Sequence, residues 1–230
     1  MDVRYRNLAI ATVQYEVLVF TRRIRKHRGK LAHVLPTRST NDEQKFKVQL
    51  APLIKELESD QSATFHFTQG PYEVAPPSGY EDFFGGAPYY RFIIPSDINN
   101  DATDVIERIR DFPQLETPEM TMRELMTIGV AKKDDSARQT LEYLYEIMEK
   151  EGPFDGIVGY SEGATIAGTL LLHEQKRKIE EGRVPMFKCA LFFGGWPPMT
   201  PTLDGLVLAD ESDLMIELPT CHVSKLSQNP

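Results

Sequence analysis

From residue 31 onward, apolar positions recur with two periods, every second residue over short runs and every third or fourth over longer ones. Strands alternating with amphipathic helices produce that pattern. Residues 31–35 read as a short strand, 43–58 as a helix with Phe46, Leu50, Leu53, Ile54 and Leu57 on one face, and 63–68 as a strand turning Phe65 and Phe67 inward. Residues 135–150 predict a helix with Asp135 at its cap, an apolar stripe of Leu141, Leu144, Tyr145 and Met148, and a stop at Gly152-Pro153. A buried strand over 154–158, a helix from 161 to about 180, a strand over 187–193 closed by Gly194-Gly195, and a last strand over 214–223 complete the series. Such alternation implies an α/β fold, a mostly parallel sheet with helices on both faces.

Two stretches break the rhythm. Residues 70–98 interleave Pro71, Pro76, Pro77 and Gly79 with Tyr72, Tyr80, Phe83, Phe84, Tyr89, Tyr90 and Phe92, and residues 111–133 form a second irregular run. Long loops of this kind are often lids or binding walls. The functional reading makes Tyr72, Phe83, Phe84 and Tyr89, with Tyr160, the wall of an apolar acyl pocket; the structural reading makes the aromatics cover for a sheet edge.

The densest chemistry lies at Gly159-Tyr160-Ser161-Glu162-Gly163. The apolar run Phe154-Asp155-Gly156-Ile157-Val158 leads into it, and Ala164, Ala167 and Gly168 follow as the close-packing face of a helix. A glycine-flanked serine between a strand and a helix is the pattern of a nucleophile elbow. The turn is too tight for side chains at 159 and 163, and it thrusts the Ser161 hydroxyl out at the carboxyl edge of the sheet. The Glu162 N–H and the positive end of the helix dipole then point to where an oxyanion would form. The pentapeptide alone also fits an ordinary glycine-rich loop; the flanking strand and helix favour the elbow.

Composition bounds the possibilities. A chain of 230 residues, 41% hydrophobic and 26% charged, suits one globular domain with a sizeable core. Of the net −8, residues 1–30 contribute eight Lys/Arg against Asp2 and Glu16, leaving 31–230 with 18 basic and 32 acidic side chains. An acidic body is unsuited to nucleic acid. The division expected is therefore a basic extension over 1–30, solvated or poorly ordered, and a domain over 31–230. A transit peptide is the alternative for 1–30, and the interruption of its apolar part by Gln14 and Glu16 argues against a signal peptide. No apolar run approaches the ~20 residues of a membrane span. Cys189 and Cys221 sit in apolar segments and read as buried thiols, which fits a reducing compartment. His27, His33, His66, His173 and His222 lack metal-ligand spacing, so no metal is expected. A nucleotide at the glycines before the helix is a further, weaker reading, since neither G-x-G-x-x-G nor Gly-Lys-Ser/Thr is present.

Several segments, taken in order, carry a family resemblance. Phe46-Lys47-Val48-Gln49-Leu50-Ala51-Pro52-Leu53, Phe65-His66-Phe67-Thr68-Gln69-Gly70-Pro71, Tyr89-Tyr90-Arg91-Phe92 and Gly152 through Ala164 together resemble the FSH-type serine hydrolases of the α/β-hydrolase fold. The resemblance spans about residues 31–223 and implies an α/β-hydrolase-like fold, C-terminally shortened. It implies a serine esterase or thioesterase acting on an ester or carrier-bound thioester of a hydrophobic acyl or polyketide chain, as in fungal secondary-metabolite or toxin biosynthesis. By this resemblance Ser161 is the nucleophile and the Glu162 N–H an oxyanion donor. Partners follow as a small-molecule ester or acyl thioester, with the acyl-carrier domain of a polyketide synthase as a further candidate. No cofactor is implied. A cytoplasmic location fits, with mitochondrial or other organellar targeting by the basic N-terminus left open.

The chain departs from the family in two places. Where the family carries Leu-His-Gly, with a second oxyanion N–H, this sequence has Leu35-Pro36-Thr37; Pro36 has no N–H, so Thr37 or Arg38 would donate. Family members also place an acid after the last strand and a His beyond it. Here Asn229 stands near the expected Asp, no His follows, and His222 falls within the strand. Three readings stay open: a shortened product of an active gene, a homologue that binds acyl ligands or a synthase partner without turnover, or an enzyme with a base at an unusual position. The first carries a further expectation, an under-covered edge at 214–223 that lowers stability and favours self-association.

Overall fold

The computed structural model describes residues 50–59, 63–74, 88–94, 115–117, 120–121, 124, 135–203, 207 and 213–223, and the backbone of 16–22. Its strands are β1 (Glu16–Arg22), β2 (Ala63–Gln69), β3 (Tyr72–Val74), β4 (Tyr89–Arg91), β5 (Gly156–Tyr160), β6 (Cys189–Phe193) and β7 (Thr220–Val223); its main helices are α1 (Ala51–Ser59), α2 (Ser136–Glu151) and α3 (Glu162–Glu181). Five strands form one sheet in the order β2-β1-β5-β6-β7, and β3 pairs with β4 in a separate ribbon. β5 and β6 run parallel from Gly156↔Cys189 to Tyr160↔Phe193, and β7 continues the parallel direction from Ala190↔Thr220. β1 is antiparallel to both β2 and β5, so β2 shares the direction of β5, β6 and β7. The mostly parallel sheet expected from the alternating pattern is thus present, with one reversed strand inside it.

That reversed strand comes from within the segment 1–30, set apart in sequence as a basic extension. Val17-Leu18-Val19-Phe20-Thr21 is a run of strong strand formers, and it pairs between β2 and β5 despite its charged flanks. The strand expected over 31–35 and the helix residues 43–49 lie outside the described residues. The last strand is shorter than its expected 214–223: only Thr220–Val223 pairs, while Ile216 and Leu218 pack partly against the core and Met215 is 72% exposed. Cys189 is half-buried and Cys221 exposed, because β7 has a neighbour on one side alone among the described strands; the buried-thiol expectation fails for Cys221.

Two apolar clusters sit on opposite faces of the sheet. On one, Ile157, Ala190 and Phe192 meet Ala137, Leu141, Leu144 and Met148 of α2 and Ile166, Ala167, Leu170 and Leu171 of α3. On the other, Val158 packs with Leu50, and Ile54 of α1 joins Phe65, Phe67, Leu191 and Phe193. Alternate residues of β5 and β6 therefore serve alternate layers, as the period of two in a strand requires. The first half of α3 is buried nearly all round, because it lies on the sheet and is covered in turn.

A polar cluster ties α2 to α3 far from the end of β5. The Tyr145 hydroxyl donates to Glu174 Oε1 at 2.7 Å and meets His173 Nδ1 at 2.9 Å, while the Arg177 guanidinium lies 4.7 Å over the Tyr145 ring. Burial and the bond to Glu174 hold the Tyr145 phenol well above its usual range, and burial with the Arg177 charge pushes His173 below its usual value.

Two outcomes test this packing. Leu170→Ala should lower stability by about 2–5 kcal/mol, and Ile179→Ala by less than about 0.5 kcal/mol, in urea denaturation; Leu170 is 1% exposed and Ile179 74%. The His173 pKa lies below the ordinary imidazole value of 6.5, so its contribution to stability is complete above that pH and is lost as the pH falls below it. Between about pH 7.5 and about pH 5.5 the wild-type urea midpoint should fall more than that of His173→Gln, which cannot titrate.

Candidate active site

β5 ends at Tyr160 and α3 begins at Glu162, so the reversal from strand to helix falls on Ser161. Its backbone lies at φ 54°, ψ −122°, a conformation that a residue with a side chain adopts at a cost of roughly 1–3 kcal/mol. The main chain around it repays the strain. The Ser161 N–H donates to the Phe193 carbonyl at 2.8 Å, and the Ser161 carbonyl accepts from the N–H groups of Ala164 at 2.9 Å and Thr165 at 3.3 Å. A serine at a helix start ordinarily uses its hydroxyl as a cap. Ser161 makes no such cap bond, and among the described residues its Oγ has no hydrogen-bond partner.

The neighbouring backbone leaves no space for side chains. A Cβ on Gly159 would lie 2.4 Å from Ala164 Cα and 2.5 Å from the Gly163 carbonyl oxygen, and one on Gly195 would lie 2.4 Å from Ala164 Cβ. The segment after β6 is drawn onto the same helix start: Thr165 Oγ1 donates to the Trp196 carbonyl at 3.1 Å and accepts from the Trp196 N–H at 3.0 Å, and Thr169 Oγ1 accepts from Met199 N–H at 2.9 Å.

Glu162 occupies the first helical position, where a backbone N–H has no acceptor within the helix and a negative side chain is favoured by the helix dipole. Its carboxylate turns back onto the end of β4. One oxygen accepts from Arg91 Nη2 at 2.8 Å and Nε at 3.1 Å, the other from the N–H groups of Phe92 at 2.8 Å and Ile93 at 3.1 Å. Both side chains are 10% exposed. The same short segment is held by α2, where Ser136 Oγ accepts from Ile94 N–H at 3.1 Å and the Thr140 hydroxyl donates to the Phe92 carbonyl. Gly70 makes room for it, since a Cβ there would lie 2.1 Å from the Arg91 carbonyl.

The structure brings together Tyr160, Ser161 and Glu162, with Tyr160 stacked on Phe193 at 6.2 Å. Tyr72 and Tyr89 both lie on the β3–β4 ribbon, Tyr89 buried and Tyr72 donating its hydroxyl to Gln139 Oε1 at 2.8 Å. The region 70–98, expected to be irregular, thus contains two paired strands. Thr37, Phe83 and Phe84 lie outside the described residues, as do His27 and His33. The other histidines are engaged elsewhere: His66 rests on Phe154 at 5.6 Å, His222 on Phe192 at 5.0 Å within β7, and His173 in the Tyr145 cluster. No group of three metal-ligating side chains occurs among the described residues, and no helix among them is long and apolar enough to cross a membrane. Arg91 is the residue that sequence reasoning missed. Its signal was a cation inside the apolar run Tyr89-Tyr90-Arg91-Phe92-Ile93-Ile94, a position that demands a buried partner.

Comparison with known proteins bears on this geometry. The serine hydrolase (FSH1) family matches residues 39–224. Hydrolase phiM of Talaromyces stipitatus is 26% identical over 180 residues, 77% of this chain and 60% of its own. Hydrolase phiM of another fungal species is 34% identical over 97 residues, 41% of this chain and 46% of its own, and esterase C25G4.2 of Caenorhabditis elegans is 28% identical over 112 residues, 49% and 45% respectively. The chain therefore spans about half to three-fifths of the length of these relatives. No solved structure gives a significant match.

Gly159→Ala should lower the urea midpoint by the equivalent of roughly 1–3 kcal/mol, because the atoms its Cβ meets are main chain of α3 and cannot rotate away. Gly182→Ala, at φ 68° with nothing within 4 Å of the added Cβ, should carry only the smaller strain of a left-handed backbone.

Proposed function

The chain belongs to the serine hydrolase (FSH1) family, whose fold is of the α/β-hydrolase type, and from that premise we propose that it is an esterase with Ser161 as its nucleophile. The observation that carries the proposal is the Ser161 backbone at φ 54°, ψ −122°, wedged between the end of β5 and the start of α3 with a hydroxyl not used as a cap. In the proposed reaction Oγ adds to the carbonyl carbon of an ester, and its proton passes to a base. The carbonyl oxygen becomes an oxyanion facing the Glu162 N–H and the α3 dipole, with the Thr37 N–H as second donor. The tetrahedral species collapses with loss of the alcohol or thiol, and water then releases the acid from the acyl-serine. No step requires a cofactor.

The substrate class proposed is an ester or carrier-bound thioester of a hydrophobic acyl or polyketide chain in fungal secondary metabolism. The esterase and hydrolase names of the relatives support the ester chemistry, and the aromatic-rich region 70–98, with Tyr72, Phe83, Phe84 and Tyr89, supports an apolar acyl wall beside Tyr160. An acyl-carrier domain is the partner that a thioester substrate would bring.

A second reading has one observation in its favour. Among the described residues His66 rests on Phe154, His222 on Phe192 and His173 in the Tyr145 cluster, contacts that fit a homologue that binds an acyl ligand without turning it over. Hydrolysis of short p-nitrophenyl esters separates the two. The esterase reading expects turnover above the buffer rate and a fall of at least about a thousandfold in kcat for Ser161→Ala; turnover equal in wild type and Ser161→Ala defeats it.

A further inference from the structure

The side chain of Glu162, the neighbour of Ser161, accepts four hydrogen bonds among the described residues. Glu162 supplies the N–H proposed for the oxyanion, yet it also carries a carboxylate, and a negative charge one residue from a developing oxyanion would oppose the reaction. The Arg91 guanidinium meets that carboxylate through Nη2 at 2.8 Å and Nε at 3.1 Å, with both side chains 10% exposed, where solvent screening is weak. The remaining oxygen is taken by two backbone N–H groups of the same strand end. The clasp therefore acts in two ways. It cancels the charge beside the elbow, and it fixes the β3–β4 ribbon, with Tyr72 and Tyr89, to the first turn of α3.

We propose that Arg91 is a positioning residue for the Ser161 chemistry, acting through Glu162: it neutralises the carboxylate beside the oxyanion site. The inference rests on the esterase reading. It also makes an asymmetric claim that a merely structural salt bridge does not. Removing Arg91 leaves an uncompensated anion on the residue next to Ser161, whereas removing the Glu162 charge leaves the Arg91 cation there, and a nearby cation favours the transition state. In a pair that serves the fold alone, removal of either partner destabilises the site and slows the reaction.

The test uses the full chain and a fluorophosphonate probe. Ser161 Oγ bonds to phosphorus, the P–F bond breaks, fluoride leaves and the hydroxyl proton passes to the medium, so the rate reports on a phosphorus-centred oxyanion at this site. The second-order labelling constant is compared for wild type, Arg91→Met, Arg91→Lys, Glu162→Gln and the double variant Arg91→Met with Glu162→Gln. All are measured below the onset of their own thermal unfolding. The proposal expects about a ten- to hundredfold loss for Arg91→Met, a smaller loss for Arg91→Lys, labelling at or above the wild-type rate for Glu162→Gln, and recovery in the double variant to within about fivefold of wild type. Equal losses in Arg91→Met and Glu162→Gln, or a double variant as slow as Arg91→Met, overturn it. Should Arg91→Met not fold, Glu162→Gln decides alone, and a loss of tenfold or more there overturns the proposal. Wild type that is not labelled at Ser161 overturns the esterase reading itself, which is a different result from uniform labelling across the series.

Discussion

Everything at the carboxyl edge of this sheet depends on a junction with no room for a side chain. The strand β5 and the helix α3 approach so closely that the hydrogen of Gly159 is all that fits against the Ala164 Cα, and Ser161 must take a positive φ for the chain to turn between them. A conformation of that kind persists only where its surroundings over-determine it. Here the Ser161 N–H and carbonyl are both bonded, one to β6 and the other to α3. The backbone thus satisfies itself and leaves the hydroxyl for other use.

The loops around the junction are held by side chains from the first turns of the same helix. Glu162 binds the end of β4, Thr165 binds Trp196 on both its N–H and its carbonyl, and Thr169 receives the Met199 N–H. Buried polar groups are costly unless paired, and each of these is paired with backbone. One helix start therefore organises two separate segments, the ribbon on one side and the Gly194–Met199 stretch on the other. The apolar layers beneath, led by Ile157 and Val158 on opposite faces, fix the helix on the sheet.

Much of this was legible in the sequence for reasons that are local. The elbow was readable because Gly159, Ser161 and Gly163 are demanded by sterics at fixed spacing, and α2 because its stripe of Leu141, Leu144 and Met148 has a clean helical period and an end at Gly152-Pro153. What escaped was non-local. The strand at 16–22 has ordinary strand-forming residues, but nothing in them announces a partner more than forty residues away on one side and more than a hundred on the other. The Arg91–Glu162 clasp joins residues 71 apart, and the β3–β4 ribbon lies in a stretch whose prolines and glycines signal loop. The last strand starts later than its apolar run suggests because the apolar residues Ile216 and Leu218 serve the core from outside the paired strand.

The central claim is that Ser161 forms a covalent acyl intermediate. The most direct measurement mixes the protein with an activated short-chain ester, quenches in acid within the first turnovers, and locates the acyl mass by peptide mass spectrometry. The account predicts the acyl group on the peptide containing Ser161, at a stoichiometry approaching one per chain in the burst and absent from Ser161→Ala. An acyl group on a different residue, or hydrolysis with no acyl-serine at all, would contradict it.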